Sequence, residues 1–299
     1  MLVNITQKIK SISSYFYRNY TAPRIYSIRD RKILSRNTEL KNKYSGQRCF
    51  IIGGGPSIAN IDLARLADEQ TFVVNEFEKN AQYNVLKPKF HVYIDTAYFA
   101  ENTSYWHEQF KKKDLTMSPS TTLLINLGAK QFIEKNGMFK SHKVYYIGMQ
   151  GIMGRYFDFN IDISKYVPWP KNSILLCIMA AAYMGFKEIY LLGCEHNFLE
   201  HIKPGKNTVV SFGYGYEDEL LKLDLTNDDV IKAMVVKREQ NSNYSFVLAN
   251  ILQLFKNYEF IYSKIRKIHP GIRIYNATPD SYLDTFPKVK FEEIEFKRP

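Results

Sequence analysis

Cysteine is scarce in this chain, and long apolar runs are absent. Its three cysteines, Cys49, Cys177 and Cys194, are scattered over 299 residues, which is too few for a disulfide framework or a zinc cluster. A reducing compartment, the cytoplasm, is therefore expected. No stretch of about 18 uninterrupted apolar residues is present, so we expect no transmembrane helix. The first residues also lack the compact apolar core and small-residue cleavage site of a signal peptide.

Acidic residues are scarce near the N-terminus. Residues 1–48 contain eleven Lys and Arg but only two acids, whereas the remaining 251 residues hold 30 basic and 28 acidic groups. We therefore predict a basic arm over residues 1–46 and a nearly neutral body over 47–299. Since the charge is local and no nucleic-acid-binding motif accompanies it, we expect no nucleic-acid partner.

Residues 4–20 have helical periodicity, with apolar side chains at spacings of three and four. These side chains are Ile5, Ile9, Ile12, Phe16 and Tyr20. A basic helix with such a face can lie on an anionic membrane surface, which would place the protein at the cytoplasmic face of the inner membrane. The same stripe can equally pack against the body or against a second copy in a homo-oligomer.

The body alternates apolar strands with helices, the pattern of a doubly wound α/β domain with a single Rossmann-like, mostly parallel sheet. Strands are predicted over 48–52, 71–75, 90–95, 122–126, 144–148, 187–193 and 272–276. Helices are predicted after the glycine turn at 53–55, over 173–185 and over 244–268. Residues 201–243 are polar and rich in Gly and Tyr, which is typical of a lid over an active site.

Polar groups follow four of these strands, where an open α/β sheet binds its ligand. The first is the turn Gly53–Ser57, whose glycines allow a backbone to approach a phosphate closely. It matches neither the Walker loop nor the dinucleotide fingerprint. A tight turn without a ligand is the alternative interpretation. The other strand ends carry Asn75, Asp95 and Glu195.

Two motifs together resemble a known family. Residues 51–58 read Ile-Ile-Gly-Gly-Gly-Pro-Ser-Ile, and residues 184–193 read Met-Gly-Phe-Lys-Glu-Ile-Tyr-Leu-Leu-Gly, with an acid two positions later. This pattern is similar to the bacterial sialyltransferases of glycosyltransferase family 42 and to the wider MptE-like group. The resemblance covers about residues 47–285.

The resemblance implies a GT-A-like transferase that takes a CMP-activated sialic acid or related ulosonate and inverts its anomeric centre without a metal or other cofactor. The implied acceptor is a bacterial surface glycan or glycolipid. By position, the nucleotide-binding residues would be Gly53, Gly54, Gly55, Pro56, Ser57, Asn75, Asp95, Asn172, Ser173, Gly193 and Glu195. In the lid, Tyr214 and Tyr216 would bind the phosphate.

A transferase also needs a base for the acceptor hydroxyl, and His is the usual choice near neutral pH. Family 42 places this His just before the last long helix, where the present chain has Asn-Ser-Asn-Tyr-Ser at 241–245. The candidate bases are therefore His196, His201 and Glu195, with Asp95 as a further carboxylate.

Two other functions remain open from the sequence. An MptE-like nucleotide pyrophosphokinase would need Mg²⁺, which Asp95 and Glu195 could bind. A non-catalytic nucleotide-binding protein in a larger assembly would need no reacting groups.

Overall fold

The computed structural model describes residues 28–99, 104–153, 161–203, 209–210 and 244–296. The helices are α1 (Ile28–Ser35), α2 (Tyr83–Leu86), α3 (Ser104–Thr116), α4 (Lys130–Asn136), α5 (Ser173–Tyr183) and α6 (Tyr244–Ile268). The main strands are β1 (Arg48–Ile52), β2 (Gln70–Val74), β3 (Phe90–Tyr93), β4 (Thr122–Asn126), β5 (Val144–Ile147), β8 (Glu188–Leu192) and β11 (Arg273–Asn276). Two short pairs complete the set, β6 (Met149–Ile152) with β7 (Val167–Trp169) and β9 (Ile202–Lys203) with β10 (Val209–Val210).

The seven main strands form one sheet in the order β11-β8-β1-β2-β3-β4-β5, with every neighbouring pair parallel. Apolar clusters cover both faces of the sheet. Residues 49–52 of β1 illustrate the consequence, since all four are fully buried. Strands that are buried on both faces have continuous apolar sequences, not alternating ones. The predicted α/β fold is confirmed.

The strand order reverses direction next to β1. From β1 the chain proceeds outward through β2, β3, β4 and β5, and it then returns to place β8 and β11 on the other side of β1. The loops after β1 and β8 therefore leave in opposite directions. Such a reversal opens a crevice at the carboxyl ends of the two strands, where α/β proteins bind their ligands.

Helix α5 packs on β1, β2 and β3, and α6 packs on α5. Every residue of α5 is buried, and the small side chains of Ala180, Ala181 and Ala182 allow close packing. The longer α6 lies against α5 and buries one face at Leu254, Tyr258, Ile261 and Ile265. None of the helices in the described ranges has both the length and the apolar character that crossing a bilayer requires.

The segment after the glycine turn is not the α-helix that we predicted. It forms two short 3-10 helices, Pro56–Asn60 and Leu63–Leu66. Pro56 has no N–H and starts the first of them, while the side chain of Asp62 accepts from the Ala64 amide and starts the second. Consequently no long helix dipole points from this segment into the crevice.

The predicted boundary at residue 46 also needs correction. Leu34 and Leu40 are each 1% exposed, and the fully buried Asn37 donates hydrogen bonds to the carbonyls of Tyr146 and Ile163. Residues 28–46 therefore belong to the folded body, because their apolar and amide side chains point inward while their basic side chains remain on the surface. Residues 1–27, which carry the predicted apolar stripe, lie outside the described residues, and membrane docking stays a prediction.

We expect Leu34→Ala to lower the free energy of unfolding by about 2–4 kcal/mol, the usual cost of truncating a buried leucine. The matched control is Lys32→Ala, which alters an exposed side chain of the same helix and should change stability by less than about 0.5 kcal/mol. Urea denaturation measures both. Equal small effects would mean that α1 does not form part of the folded body.

Candidate functional site

A pocket of about 520 Å³ lies at the carboxyl ends of β1 and β8. Its walls come from the glycine turn, the end of β2, the start of α5, the segment after β8 and one face of α6. The lining residues are Gly53, Gly54, Gly55, Pro56, Val74, Asn75, Lys171, Asn172, Ser173, Ile174, Gly193, Glu195, His196, Asn197, Phe198, Val247, Asn250, Ile251 and Leu254.

The glycine turn is shaped by its contact with the segment after β8. The Gly53 amide donates to the Leu192 carbonyl at 2.8 Å, and the Gly55 amide donates to the Gly193 carbonyl at 3.1 Å. A Cβ on Gly53 would overlap the Gly193 carbonyl, and a Cβ on Gly55 would overlap the Glu195 carboxylate. Two amides of the turn are thus already used within the protein. The glycines are required for backbone contact between two loops, whether or not a phosphate binds.

Glu195 lies at the floor of the pocket, with one carboxylate oxygen hydrogen-bonded and the other buried without a donor in the described part of the chain. Its Oε1 accepts from the Ser57 amide at 2.7 Å. Its Oε2 is buried and has no hydrogen-bond partner in the described part of the chain, and the same holds for the Ser57 hydroxyl. A buried carboxylate oxygen without a donor is costly. Glu195 lines the pocket whereas Ser57 does not, so the unpaired carboxylate oxygen is the acceptor that this floor holds for a ligand with hydroxyl or amino groups.

The start of α5 provides the positive end of the pocket. The Asn172 side chain caps the helix by accepting from the Leu175 amide at 3.0 Å, which leaves the amides of Ser173 and Ile174 without helical partners. Lys171 stands beside them, and its ammonium donates to the Asn250 side chain at 2.5 Å. Helix amides together with a lysine bind phosphate or carboxylate groups.

Asn75 connects the end of β2 to the same helix. Its Oδ1 accepts from the Ser173 hydroxyl at 3.0 Å, and its backbone carbonyl is bonded to the ring of His91 at 2.9 Å. Since Oδ1 is occupied, the side-chain NH₂ of Asn75 is the group that remains for a ligand in the pocket.

His196 forms part of the pocket wall and is buried, with 8% of the residue exposed. Its Nε2 lies 2.9 Å from the Tyr258 hydroxyl, which in turn accepts from the Asn172 side chain at 2.9 Å. Burial lowers the pKa of His196 to about 4, although a hydrogen bond to the Cys194 backbone opposes the shift. A histidine with this pKa and an occupied Nε2 is neutral near pH 7 and is a weak base.

The remaining predicted site residues are distributed differently. Ser57 lies behind the pocket on Glu195, and Asp95 is exposed beyond the end of β3 and does not line the pocket. His201 ends a 3-10 helix, Phe198–His201. Tyr214, Tyr216 and most of the predicted lid at 201–243 lie outside the described residues. Within the described ranges, no three His, Cys, Asp or Glu side chains cluster as metal ligands would.

Several pocket residues were not predicted from the sequence. Lys171 was detectable, since it directly precedes the Asn172 cap of a predicted helix. The apolar wall formed by Val247, Ile251 and Leu254 follows the helical spacing of α6, but the spacing does not reveal what the face covers. Asn250 and Tyr258 carry no local signal, because their partners are distant in the chain.

No protein-family model matches the chain, and no curated protein matches it. Among solved structures, it is similar to the MAf glycosyltransferase from Magnetospirillum magneticum AMB-1, with a TM-score of 0.47 and 13% sequence identity. The similarity covers 90% of this chain and 39% of that chain, so the present chain spans about two fifths of the length of the matched protein.

The Gly55→Ala variant tests the contact between the two loops. Because the new methyl group would overlap the Glu195 carboxylate, we expect a loss of stability of about 1–3 kcal/mol. Gly271→Ala is the control, since a Cβ there meets nothing within 4 Å. Adding Glu195→Ala should recover part of the Gly55→Ala loss. Additive losses in the double variant, measured by urea denaturation, would contradict the proposed overlap.

The lowered pKa of His196 predicts a specific dependence of stability on pH. The unfolded chain takes up a proton at this residue below about pH 6.5, whereas the folded chain does so only near pH 4. The stabilisation is fully present above pH 6.5 and is lost as the pH falls toward 4, by about 3 kcal/mol over that window. His196→Asn should therefore flatten the decline in unfolding free energy between pH 7 and pH 4.5. An unchanged slope would rule out a neutral buried His196.

Proposed function

We propose that this protein is a glycosyltransferase that binds a nucleotide-activated sugar in the crevice between β1 and β8. Support comes from the two chemically opposite ends of one pocket. The Glu195 oxygen that has no donor within the described ranges suits the hydroxyls of a ribose, and the α5 N-terminus with Lys171 suits a negatively charged phosphate or carboxylate. Nucleotides combine both features, and the strand reversal is the usual place for them.

A CMP-activated sialic acid or related ulosonate is the donor that we propose. Such a donor has one phosphate and one sugar carboxylate, and its leaving group is CMP. The pocket offers these two anions one helix N-terminus, one lysine and the Asn75 amide. That number of hydrogen-bond donors matches one phosphate and one carboxylate. The sequence resemblance to family 42 supports the same donor, and it supports inversion without a metal ion.

The histidine roles follow from the hydrogen bonds around the pocket. We assign His196 to holding Tyr258 and Asn172 in place, because its Nε2 is occupied and its pKa is low. The base that accepts the proton of the acceptor hydroxyl is then His201 or Glu195. Val247, Ile251 and Leu254 close the side of the pocket, and we propose a bacterial surface glycan or glycolipid as the acceptor.

Thermal unfolding with CMP, CDP, UDP, GDP and ATP, each with and without Mg²⁺, tests the nucleotide site. Binding to the folded state raises the melting temperature by mass action. We expect a shift with CMP that does not require Mg²⁺. Lys171→Gln should reduce this shift. Lys187→Gln should not, because Lys187 is an exposed lysine at the opposite end of β8.

Other outcomes of the same thermal-unfolding series would favour one of the two alternative functions. An ATP shift that requires Mg²⁺ would favour a pyrophosphokinase, and the absence of any shift would favour a non-catalytic protein.

If CMP binds, release of CMP from a CMP-ulosonate separates the two candidate bases. We expect His201→Asn to reduce turnover by about 10²-fold while leaving CMP binding intact. Loss of turnover with retained CMP binding in Glu195→Gln, and not in His201→Asn, would make the carboxylate the base.

A further inference from the structure

We propose that His91, which lies outside the pocket, is a positioning residue that acts through Asn75 to aim the Asn75 amide at the bound nucleotide donor. The inference rests on the nucleotide site proposed above. The observation behind it is a hydrogen bond of 2.9 Å between the Nε2 of a fully buried histidine and the carbonyl oxygen of a pocket residue.

Asn75 has a backbone conformation that needs support. Its φ is +53°, in the left-handed region that is uncommon for non-glycine residues, although asparagine adopts it more readily than most. Such residues persist where surrounding contacts determine them, and they concentrate at functional sites. Here the Asn75 amide donates to the Val92 carbonyl at 3.1 Å, and the Asn75 side chain accepts from Ser173. The bond from His91 is the third contact, and it holds the carbonyl.

The surroundings of His91 determine which ring nitrogen carries the proton. A carbonyl oxygen can only accept, so the Nε2 that faces Asn75 must be protonated. The Nδ1 must then accept, and the Tyr83 hydroxyl at 3.2 Å can donate to it, whereas the Tyr93 hydroxyl, 3.1 Å away, donates to the Met117 sulfur. The ring is also stacked on Tyr93, with centroids 4.3 Å apart. Orientation and tautomer are both set by these contacts.

Buried charges reinforce this arrangement. The Oε2 of Glu78 lies 3.8 Å from the His91 Nε2 and has no hydrogen-bond partner in the described part of the chain. Its negative charge favours a proton on the nearer nitrogen. The other Glu78 oxygen is paired with the buried Lys113, whose ammonium also lies 3.8 Å from Glu76. His91 is thus a permanent donor in a preorganised network.

These contacts fix the direction in which the Asn75 side chain points in the pocket. With its carbonyl held by His91 and its Oδ1 held by Ser173, Asn75 presents its NH₂ to the ligand. That group donates to a phosphate or carboxylate oxygen beside the α5 N-terminus. Losing the His91 donor would free the Asn75 backbone and misplace the amide, although no atom of His91 touches the ligand.

A set of variants tests this role, with CMP as the probe and calorimetric affinity as the readout. His91→Phe keeps an aromatic ring but removes the donor, and we expect CMP affinity to fall about fivefold to tenfold, the size of one lost hydrogen bond. His91→Gln, which can place a donor near the same position, should restore most of the affinity. His142→Phe is the matched control, since His142 is a buried histidine bonded to the Thr121 carbonyl outside the pocket.

A double-variant cycle shows whether His91 acts through Asn75. In an Asn75→Gly background, glycine adopts the same φ without strain and has no side-chain amide. We expect His91→Phe to cause no further loss of CMP affinity there. Wild-type affinity in His91→Phe, or an undiminished loss in the Asn75→Gly background, would overturn the inference.

One measurement needs no variant and no ligand. Nitrogen-15 NMR of the wild-type chain reports the tautomer of His91, and we expect the proton on Nε2. A proton on Nδ1 would overturn the inference even if CMP binds. If the wild type binds no CMP, the proposed function fails, whereas the tautomer still tests the bond between His91 and Asn75.

Discussion

The pocket depends on one contact, in which the backbone after β1 lies directly against the backbone after β8. Hydrogen bonds from the Gly53 and Gly55 amides continue the parallel pairing past the ends of the strands. No side chain fits between the two loops, so the turn is restricted to glycine at both positions. The same contact places Glu195 under the turn and sets the floor of the crevice. Donor binding, in our proposal, uses the Glu195 carboxylate oxygen that this contact leaves without a hydrogen-bond donor in the described part of the chain.

Two buried histidines support the pocket from different sides. His91 holds Asn75 at the end of β2, and His196 holds Tyr258 and Asn172 at the start of α5. Burial lowers the pKa of both rings, so both stay neutral near pH 7 and act as fixed hydrogen-bonding groups. The bond between Ser173 and Asn75 joins the two supports. Preorganised donors of this kind bind charge without rearranging, which is what stabilising a leaving group requires.

Much of the fold could be predicted from the sequence. The seven strands of the sheet read as apolar runs because helices and loops cover both of its faces. Errors arose where composition and local spacing compete with packing. The charge of residues 28–46 suggested a separate arm, yet Leu34, Asn37 and Leu40 are buried in the body. The glycine turn lies where the sequence predicted it, but the amides of Gly53 and Gly55 donate to carbonyls at the end of β8 and just after it.

The positions of the seven strands, the long helices α5 and α6 and the polar strand ends could be read from the amino-acid sequence, since burial and chain reversal leave local patterns. Which polar groups contact one another, and which are left without a partner, depends on the folded arrangement of the strands and helices. Lys171 is hydrogen-bonded to Asn250, which is 79 residues away in the sequence, and His196 to Tyr258, which is 62 residues away. Such pairs leave no periodic signal, because the sheet order brings them together. For the same reason, the roles that we assign to His91 and His196 follow from their hydrogen-bond partners. A histidine in or after a strand does not reveal those partners in the sequence.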